Sequence, residues 1–272
     1  MNYGDTSAYR QLDASPVLAA VHRLQTDRSY RDQRGLFFAE GVRNFVAAVD
    51  HKHPLKTVIY SEKLLIHPIA RKLVRMLKRA SVPFVRLSPE QFRSISRTER
   101  ASGVAAILHQ RVQNLNDVKP GGQHLWTALS EVRSPGNFGT LVRTSAATGS
   151  NGFVLLGDSV DPFDPMVVRA AMGALFKQRL IRASAAEIRD WTARHNVQVV
   201  GASPDGSVEY DRFQYSRPVL LLLGTERNGL SRQQREACHD IVRIPMVEGI
   251  DSLNLAVAGS LLMYQVFRSS PG

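Results

Sequence analysis

The side chains of this 272-residue chain that could do chemistry fall in three segments. The first, Ser130 to Arg143, carries Pro135, Gly136, Asn137 and Gly139; the second is Gly224-Thr-Glu-Arg-Asn-Gly229; the third is Ile244-Pro-Met246 followed by Asp251-Ser-Leu-Asn254. Each starts where an apolar run ends and turns polar, and the carboxyl edge of an open α/β sheet is where such folds bind ligands. The second segment has the outer glycines of a phosphate loop, but no Lys-Ser/Thr follows, and a Gly-x-Gly-x-x-Gly dinucleotide fingerprint is absent. Neither His51-Lys-His53 nor Cys238-His239 has partners at metal-ligand spacing, so no metal is expected. What remains are the three segments themselves, whose polar residues include Asn137, Arg143, Glu226 and Asn254.

The elements that must carry these segments follow from periodicity. Strands are expected at Leu125–Val132, Gly152–Leu156, Gln198–Ala202, Val219–Leu223 and Ile241–Pro245, with helical patterns between them, notably Phe138–Thr148 and Leu255–Arg268. Continuous apolar strands alternating with helices predict a mostly parallel sheet covered on both faces. Upstream, Ser15 before Pro16 reads as an N-cap and first-turn proline, and helix and strand patterns then alternate as far as Val104–Leu108. The Asn-, Gly- and Pro-containing stretch before the second half reads as a linker. The expected organisation is residues 1–110 as a small α/β domain with a leading helix, 111–123 as linker and 124–272 as the larger α/β domain.

Charge separates the two parts. Residues 1–120 hold 20 Lys/Arg against 10 Asp/Glu, whereas residues 121–272 hold 15 against 14. A polyanion such as RNA would be drawn to the first part, although a basic surface kept for solubility gives the same count. One cysteine excludes an internal disulfide and fits a reducing compartment. The opening residues lack the pattern of a secretory signal and no apolar run has membrane-spanning length, so a cytoplasmic protein without membrane contact is expected.

The three segments, in this order and on these strand ends, resemble those of the SpoU/TrmH family of RNA 2′-O-ribose methyltransferases in the SPOUT superfamily. The resemblance is strong over residues 125–268. It is looser over about residues 30–108, which resemble the family's RNA-binding domain, similar to a small ribosomal protein. It implies a trefoil knot in the carboxy-terminal domain, a homodimer, S-adenosyl-L-methionine as cofactor, and methyl transfer to a ribose 2′-hydroxyl of structured RNA, ribosomal RNA ahead of transfer RNA. A base methyltransferase on the same scaffold and a non-catalytic RNA-binding assembly factor are the alternatives.

By the same resemblance Gly224, Ile244 and Leu253 fall where the family holds the cofactor through backbone groups, with Thr225, Met246 and Ser252 lining the same pocket. Taken without the flanking motifs, Ile244 and Leu253 read as plain core residues. Arg143 matches the family's catalytic arginine; a salt bridge to Glu131 or Glu226 is the structural alternative. Glu226 is expected to orient Arg143 or Asn137, and Asn254 to serve both as hydrogen-bond partner near the ribose and as N-cap of the last helix. That helix carries Leu255, Ala258, Leu262, Tyr264 and Phe267 around its circumference, which suits either a dimer interface or packing on the sheet.

Overall fold

The computed structural model describes residues 10–121 and 125–269. The opening Met1–Tyr9 and the Gly122–Gln123 portion of the expected linker lie outside the described residues. The chain divides into two compact units, one of residues 1–110 with 163–177, the other of residues 111–162 with 178–272.

The first unit opens with helices α1 (Ala14–Thr26) and α2 (Arg28–Arg34) and continues through β1 (Leu36–Glu40), α3 (Val42–Asp50), β2 (Leu55–Tyr60), α4 (Pro68–Arg79), β3 (Phe84–Arg86), α5 (Pro89–Ile95) and β4 (Val104–His109). Asp13, not Ser15, occupies the N-cap of α1, so that Ser15 and Pro16 sit inside its first turn. Four strands form a mixed sheet in the order β1-β4-β2-β3, antiparallel except for the β2–β3 pair. Val21, Leu24, Phe38, Ile59 and Phe92 fill the core on one side of that sheet. Gly35 ends α2 in the left-handed conformation, which an L side chain rarely adopts.

The second unit contains β5 (Gln113–Asn114), β6 (Leu125–Leu129), α6 (Pro135–Ala147) and β7 (Gly152–Leu156). After the excursion α7 (Pro165–Ala171) come β8 (Arg179–Ala183), α8 (Ala185–Arg194), β9 (Gln198–Ala202), β10 (Val208–Glu209), β11 (Val219–Leu223), α9 (Arg232–Glu236), β12 (Asp240–Arg243) and α10 (Leu255–Arg268). Its eight strands run in the order β10-β12-β9-β11-β6-β7-β8-β5, and every pair is parallel. The centre is β11, buried along its whole length between β9 and β6. Trp126 and Trp191 meet edge to face at 6.3 Å, and the Trp191 indole donates to the Val118 carbonyl at 2.7 Å.

Two features depart from the expected organisation. Within 111–123, β5 pairs with β8, while Leu115 and Val118 are buried in the second unit's core, so apolar burial anchors part of what reads as a linker. The excursion of residues 163–177 packs in the first unit: the Phe163 and Phe176 rings lie 4.8 and 6.2 Å from that of Phe37. Among the described residues no helix is long and apolar enough to cross a membrane.

Candidate active site

The carboxyl ends of β9, β11 and β12 open into a cleft of about 430 Å³, within the range of small-molecule and cofactor sites. At its centre β11 passes into a tight turn. The Thr225 amide donates to the Gly229 carbonyl at 2.9 Å, the Gly229 amide returns to the Thr225 carbonyl at 3.1 Å, and the Asn228 amide donates to Thr225 Oγ1 at 3.0 Å. A Cβ at Gly224 would stand 2.1 Å from the Gly229 carbonyl carbon and 2.4 Å from the Leu230 amide nitrogen, so the turn can fold back only over a residue without a side chain. The turn presents main-chain groups to the cleft with no side chain at Gly224 in the way.

All six residues expected to hold a cofactor, Gly224, Thr225, Ile244, Met246, Ser252 and Leu253, line this cleft. Neither Ile244 nor Leu253 is a core residue: the first is half-buried and the second 36% exposed. A strip of Leu223, Ile244, Met246, Leu253 and Leu255 gives the cleft an apolar wall suited to an aromatic ring.

Above the cleft, three side chains far apart in sequence form one chain of hydrogen bonds. Asn137, in the first turn of α6, donates from Nδ2 to Glu226 Oε1 at 2.7 Å and accepts at Oδ1 from Asn254 Nδ2 at 3.1 Å. Asn254 in turn caps α10, its Oδ1 accepting from the amides of Ala256 at 2.9 Å and Val257 at 3.3 Å. The capping bonds leave the Asn254 amide only as donor toward Asn137, and that fixes Asn137 as donor toward Glu226. A bond of 2.8 Å between the hydroxyls of Thr144 and Ser260 ties α6 to α10 a little further along.

Arg143 is placed differently. It is exposed on α6, is not among the residues lining the cleft, and makes no ion pair or hydrogen bond among the described residues. Glu131 pairs with Arg133 at 2.9 Å, and Glu226 is engaged by Asn137, so neither carboxylate takes Arg143. Six residues along a helix amount to about 240° of rotation, which turns Arg143 away from Asn137.

The cleft also contains residues absent from the expected set. At the end of β9, Ser203 and Asp205 face Arg235 of α9. Arg235 Nη2 donates to Ser203 Oγ at 2.7 Å and to Asp205 Oδ1 at 3.0 Å, and the Ser203 hydroxyl donates to the same Oδ1. The Ser203 hydroxyl first, and Arg235 after it, hold the Asp205 carboxyl below its ordinary range. The signal available in the sequence was the Ser-Pro-Asp-Gly turn after an apolar strand, a fourth strand end of the kind that marks the other three segments. Among the described residues no group of three His, Cys, Asp or Glu could hold a metal ion.

Comparison with known proteins places this geometry. Residues 124–264 match the model of the SpoU rRNA methylase family, and residues 18–106 match that of an MRM3-like substrate binding domain. A 23S rRNA (uridine(2479)-2′-O)-methyltransferase of Streptomyces viridochromogenes is 29% identical over 249 residues, covering 89% of this chain and 86% of its own. The structure resembles an AdoMet-bound rRNA methyltransferase from Sinorhizobium meliloti with a TM-score of 0.86, 29% identity and coverage of 98% of this chain and 100% of the other. The SpoU methyltransferase AviRb from Streptomyces viridochromogenes in complex with AdoMet aligns with a TM-score of 0.83 and 27% identity, covering 93% and 97%.

Proposed function

Because the chain belongs to the SpoU rRNA methylase family, we propose that it transfers a methyl group from S-adenosyl-L-methionine to a ribose 2′-hydroxyl of structured RNA, ribosomal RNA ahead of transfer RNA. The observation that carries this reading is the union of Asn137, Glu226 and Asn254, 89 and 117 residues apart, at the edge of a cleft whose turn forbids a side chain at Gly224. The cofactor supplies, when bound, a methyl group on a positively charged sulfur. Gly224, Thr225 and Ser252 offer polar groups for it, and Ile244, Met246 and Leu253 the apolar wall.

Arg143 and the Asn137–Glu226–Asn254 chain act on the RNA. A guanidinium is a fork-shaped donor rather than a base, so Arg143, turned away from the Asn137 of its own chain, serves the cleft of a second copy in the homodimer, where it stabilises the developing ribose alkoxide and grips the adjacent phosphate, which takes the proton. Glu226 holds the Asn137 amide, and Asn254 turns its own amide toward the same place. The exposed N-terminal turn of α6 adds a favourable end for a phosphate. An Arg143→Lys variant with near-full activity would refute the need for a fork.

The finer architecture belongs to the same reading. Residues 1–110 serve as the RNA-binding domain, similar to a small ribosomal protein, and residues 124–272 as the methyltransferase domain, threaded as a trefoil knot. Two copies form a homodimer: α10 leaves Val257, Leu261, Tyr264 and Phe267 between 37% and 49% exposed on one side, a stripe that a second copy would cover, and Arg143 stands exposed on the neighbouring α6. An RNA substrate and a single cysteine, Cys238, suit the cytoplasm.

The test is incubation with labelled cofactor and, separately, ribosomal and transfer RNA. The expected product is a nuclease-resistant dinucleotide from ribosomal RNA. Label confined to bases would mean a base methyltransferase, and RNA binding with no cofactor binding by calorimetry would mean an assembly factor.

A further inference from the structure

The cleft has two differently equipped flanks. On the β6 side of β11 stand Asn137 and its partners; on the β9 side stand Ser203, Asp205 and Arg235, which the proposed reaction does not use. Resting on the reading that S-adenosyl-L-methionine occupies the cleft, we propose that Asp205 and Arg235 recognise the amino-acid end of that cofactor, Asp205 its ammonium and Arg235 its carboxylate.

The argument begins from charge. An α-amino acid carries a cation and an anion on one carbon, and its best partner is an anion and a cation held at matching separation. Asp205 and Arg235 are such a pair, fixed at 3.0 Å in the lining of the cleft and steadied by the Ser203 hydroxyl. Their mutual bonds leave capacity unused. Both contacts on the carboxylate fall on Oδ1, and both from the guanidinium leave through Nη2. Oδ2 is therefore left over from these contacts for an ammonium, and Nη1 and Nε for a carboxylate.

Two other carboxylates line the cleft: Glu226 is committed, accepting from Asn137 at 2.7 Å, and Asp251, exposed on the loop before α10, has no cation paired with it among the described residues to take the carboxylate of an amino acid. The rest of the cleft also points this way. Adenine needs an apolar slot, and the wall of Ile244, Met246, Leu253 and Leu255 provides one on β12 and α10, while the reacting methyl must face the Asn137 flank. The charged β9 corner is left for the charged end. Because the pair exists before any ligand enters, little side-chain freedom is lost on binding. A pair serving only to clamp the β9 loop to α9 would explain the bonds but not their place in the cleft wall.

S-adenosylhomocysteine and 5′-methylthioadenosine separate these roles. Both are neutral at sulfur and share the adenosine, and only the first has the ammonium and carboxylate. Calorimetry on the full chain and on Asp205→Asn and Arg235→Gln gives the answer, with a thermal melt to establish that each variant is folded. The expected result is that each variant weakens S-adenosylhomocysteine by about tenfold and leaves 5′-methylthioadenosine within about twofold. Equal losses for both ligands, or no loss for either, would overturn the assignment, the first marking a structural clamp. Should the unaltered protein bind neither ligand, the cofactor reading itself fails and takes this one with it; should it bind both while the variants do not discriminate, only this inference fails.

Discussion

Around the cleft of the second unit Asn137 bridges Glu226 and Asn254 at 2.7 and 3.1 Å, and Arg235 holds Asp205 at 3.0 Å. On α4 of the first unit Lys72, Arg75 and Arg79 are exposed, and none makes an ion pair or hydrogen bond among the described residues. That helix carries Arg71, Lys72, Arg75, Lys78 and Arg79 and no acidic residue. Lys72, Arg75 or Met76, and Arg79 follow the three- and four-residue spacing of one helix face, rising about 10 Å along the axis. Paired polar groups give fixed geometry for a small ligand and a single reacting atom. A row of uncompensated cations repels itself, and suits a long anion whose counterions it releases. Specific chemistry and general grip are thus built by opposite uses of charge.

Arg143 is the exception in the second unit, an exposed cation with no partner among the described residues, on the same helix as Asn137 but turned away from it, and removing it is the sharpest way to break the comparison. Arg143→Ala is expected to lower the methyl-transfer rate constant by roughly a hundredfold to a thousandfold, the scale of losing one donor to a developing oxyanion. Cofactor affinity, read by calorimetry, should hold. If the rate falls no more than the affinity for RNA does, Arg143 belongs with the α4 cations as a phosphate contact and not with the reacting groups.

The α4 face is tested by reversing it. A Lys72→Glu, Arg75→Glu, Arg79→Glu variant should weaken RNA binding about uniformly across sequences. It should also flatten the plot of log affinity against log salt by roughly two to three units, about one for each phosphate no longer neutralised. Cofactor binding in the second unit should be unaffected. An unchanged slope would leave α4 as a solvated surface and move the RNA-binding face elsewhere in the first unit.

Asn254 belongs to both local structure and the site, and two substitutions divide those roles. Asn254→Ala loses the N-cap of α10 and should cost about 1 kcal/mol in denaturant unfolding. Asn254→Asp keeps an acceptor for the Ala256 and Val257 amides but has no donor for Asn137, so stability should stay close to the parent while turnover falls. Equal stability losses in both variants would mean that capping is a minor part of what Asn254 does.

The sequence placed strands well and distances poorly, for physical reasons. The strands Gly152–Leu156, Gln198–Ala202 and Val219–Leu223 stand where the apolar runs put them, because burial between helices on both faces leaves no other partner for such runs. The six expected residues that line the cleft were legible through the resemblance alone; composition gives no reason to choose Leu253 over Leu255. Three things were not legible. The facing of Arg143 depends on where α6 starts, and with Pro135 as its first residue the rotation carries Arg143 away from Asn137. The Asp205–Arg235 pair joins a loop to a helix across 30 residues, and nothing local in either segment signals the other. The 163–177 excursion was equally silent, since Phe163 and Phe176 are ordinary apolar residues until Phe37 is found beside them.

The smallest effect tests whether the cleft's charges are as firmly paired as their geometry says. Asp205 has its folded-state carboxyl held below the ordinary 3.8 by the Ser203 hydroxyl and Arg235. A carboxyl depressed on folding binds protons less readily folded than unfolded, so its stabilisation is fully present above about pH 4 and is lost as pH falls through the depressed folded value. The pair is partly exposed, 66% for Asp205 and 36% for Arg235, so solvent screens it and the gain is small. Asp205→Asn should therefore unfold slightly more easily than the parent at neutral pH. The gap between the two denaturation midpoints should stay constant from pH 7 to about pH 5 and close in the acid range below about pH 4. A gap that stays open in acid would show that the carboxylate charge contributes nothing there, and that the bonds of the Asp205–Arg235 pair, not its charges, hold the β9 loop to α9.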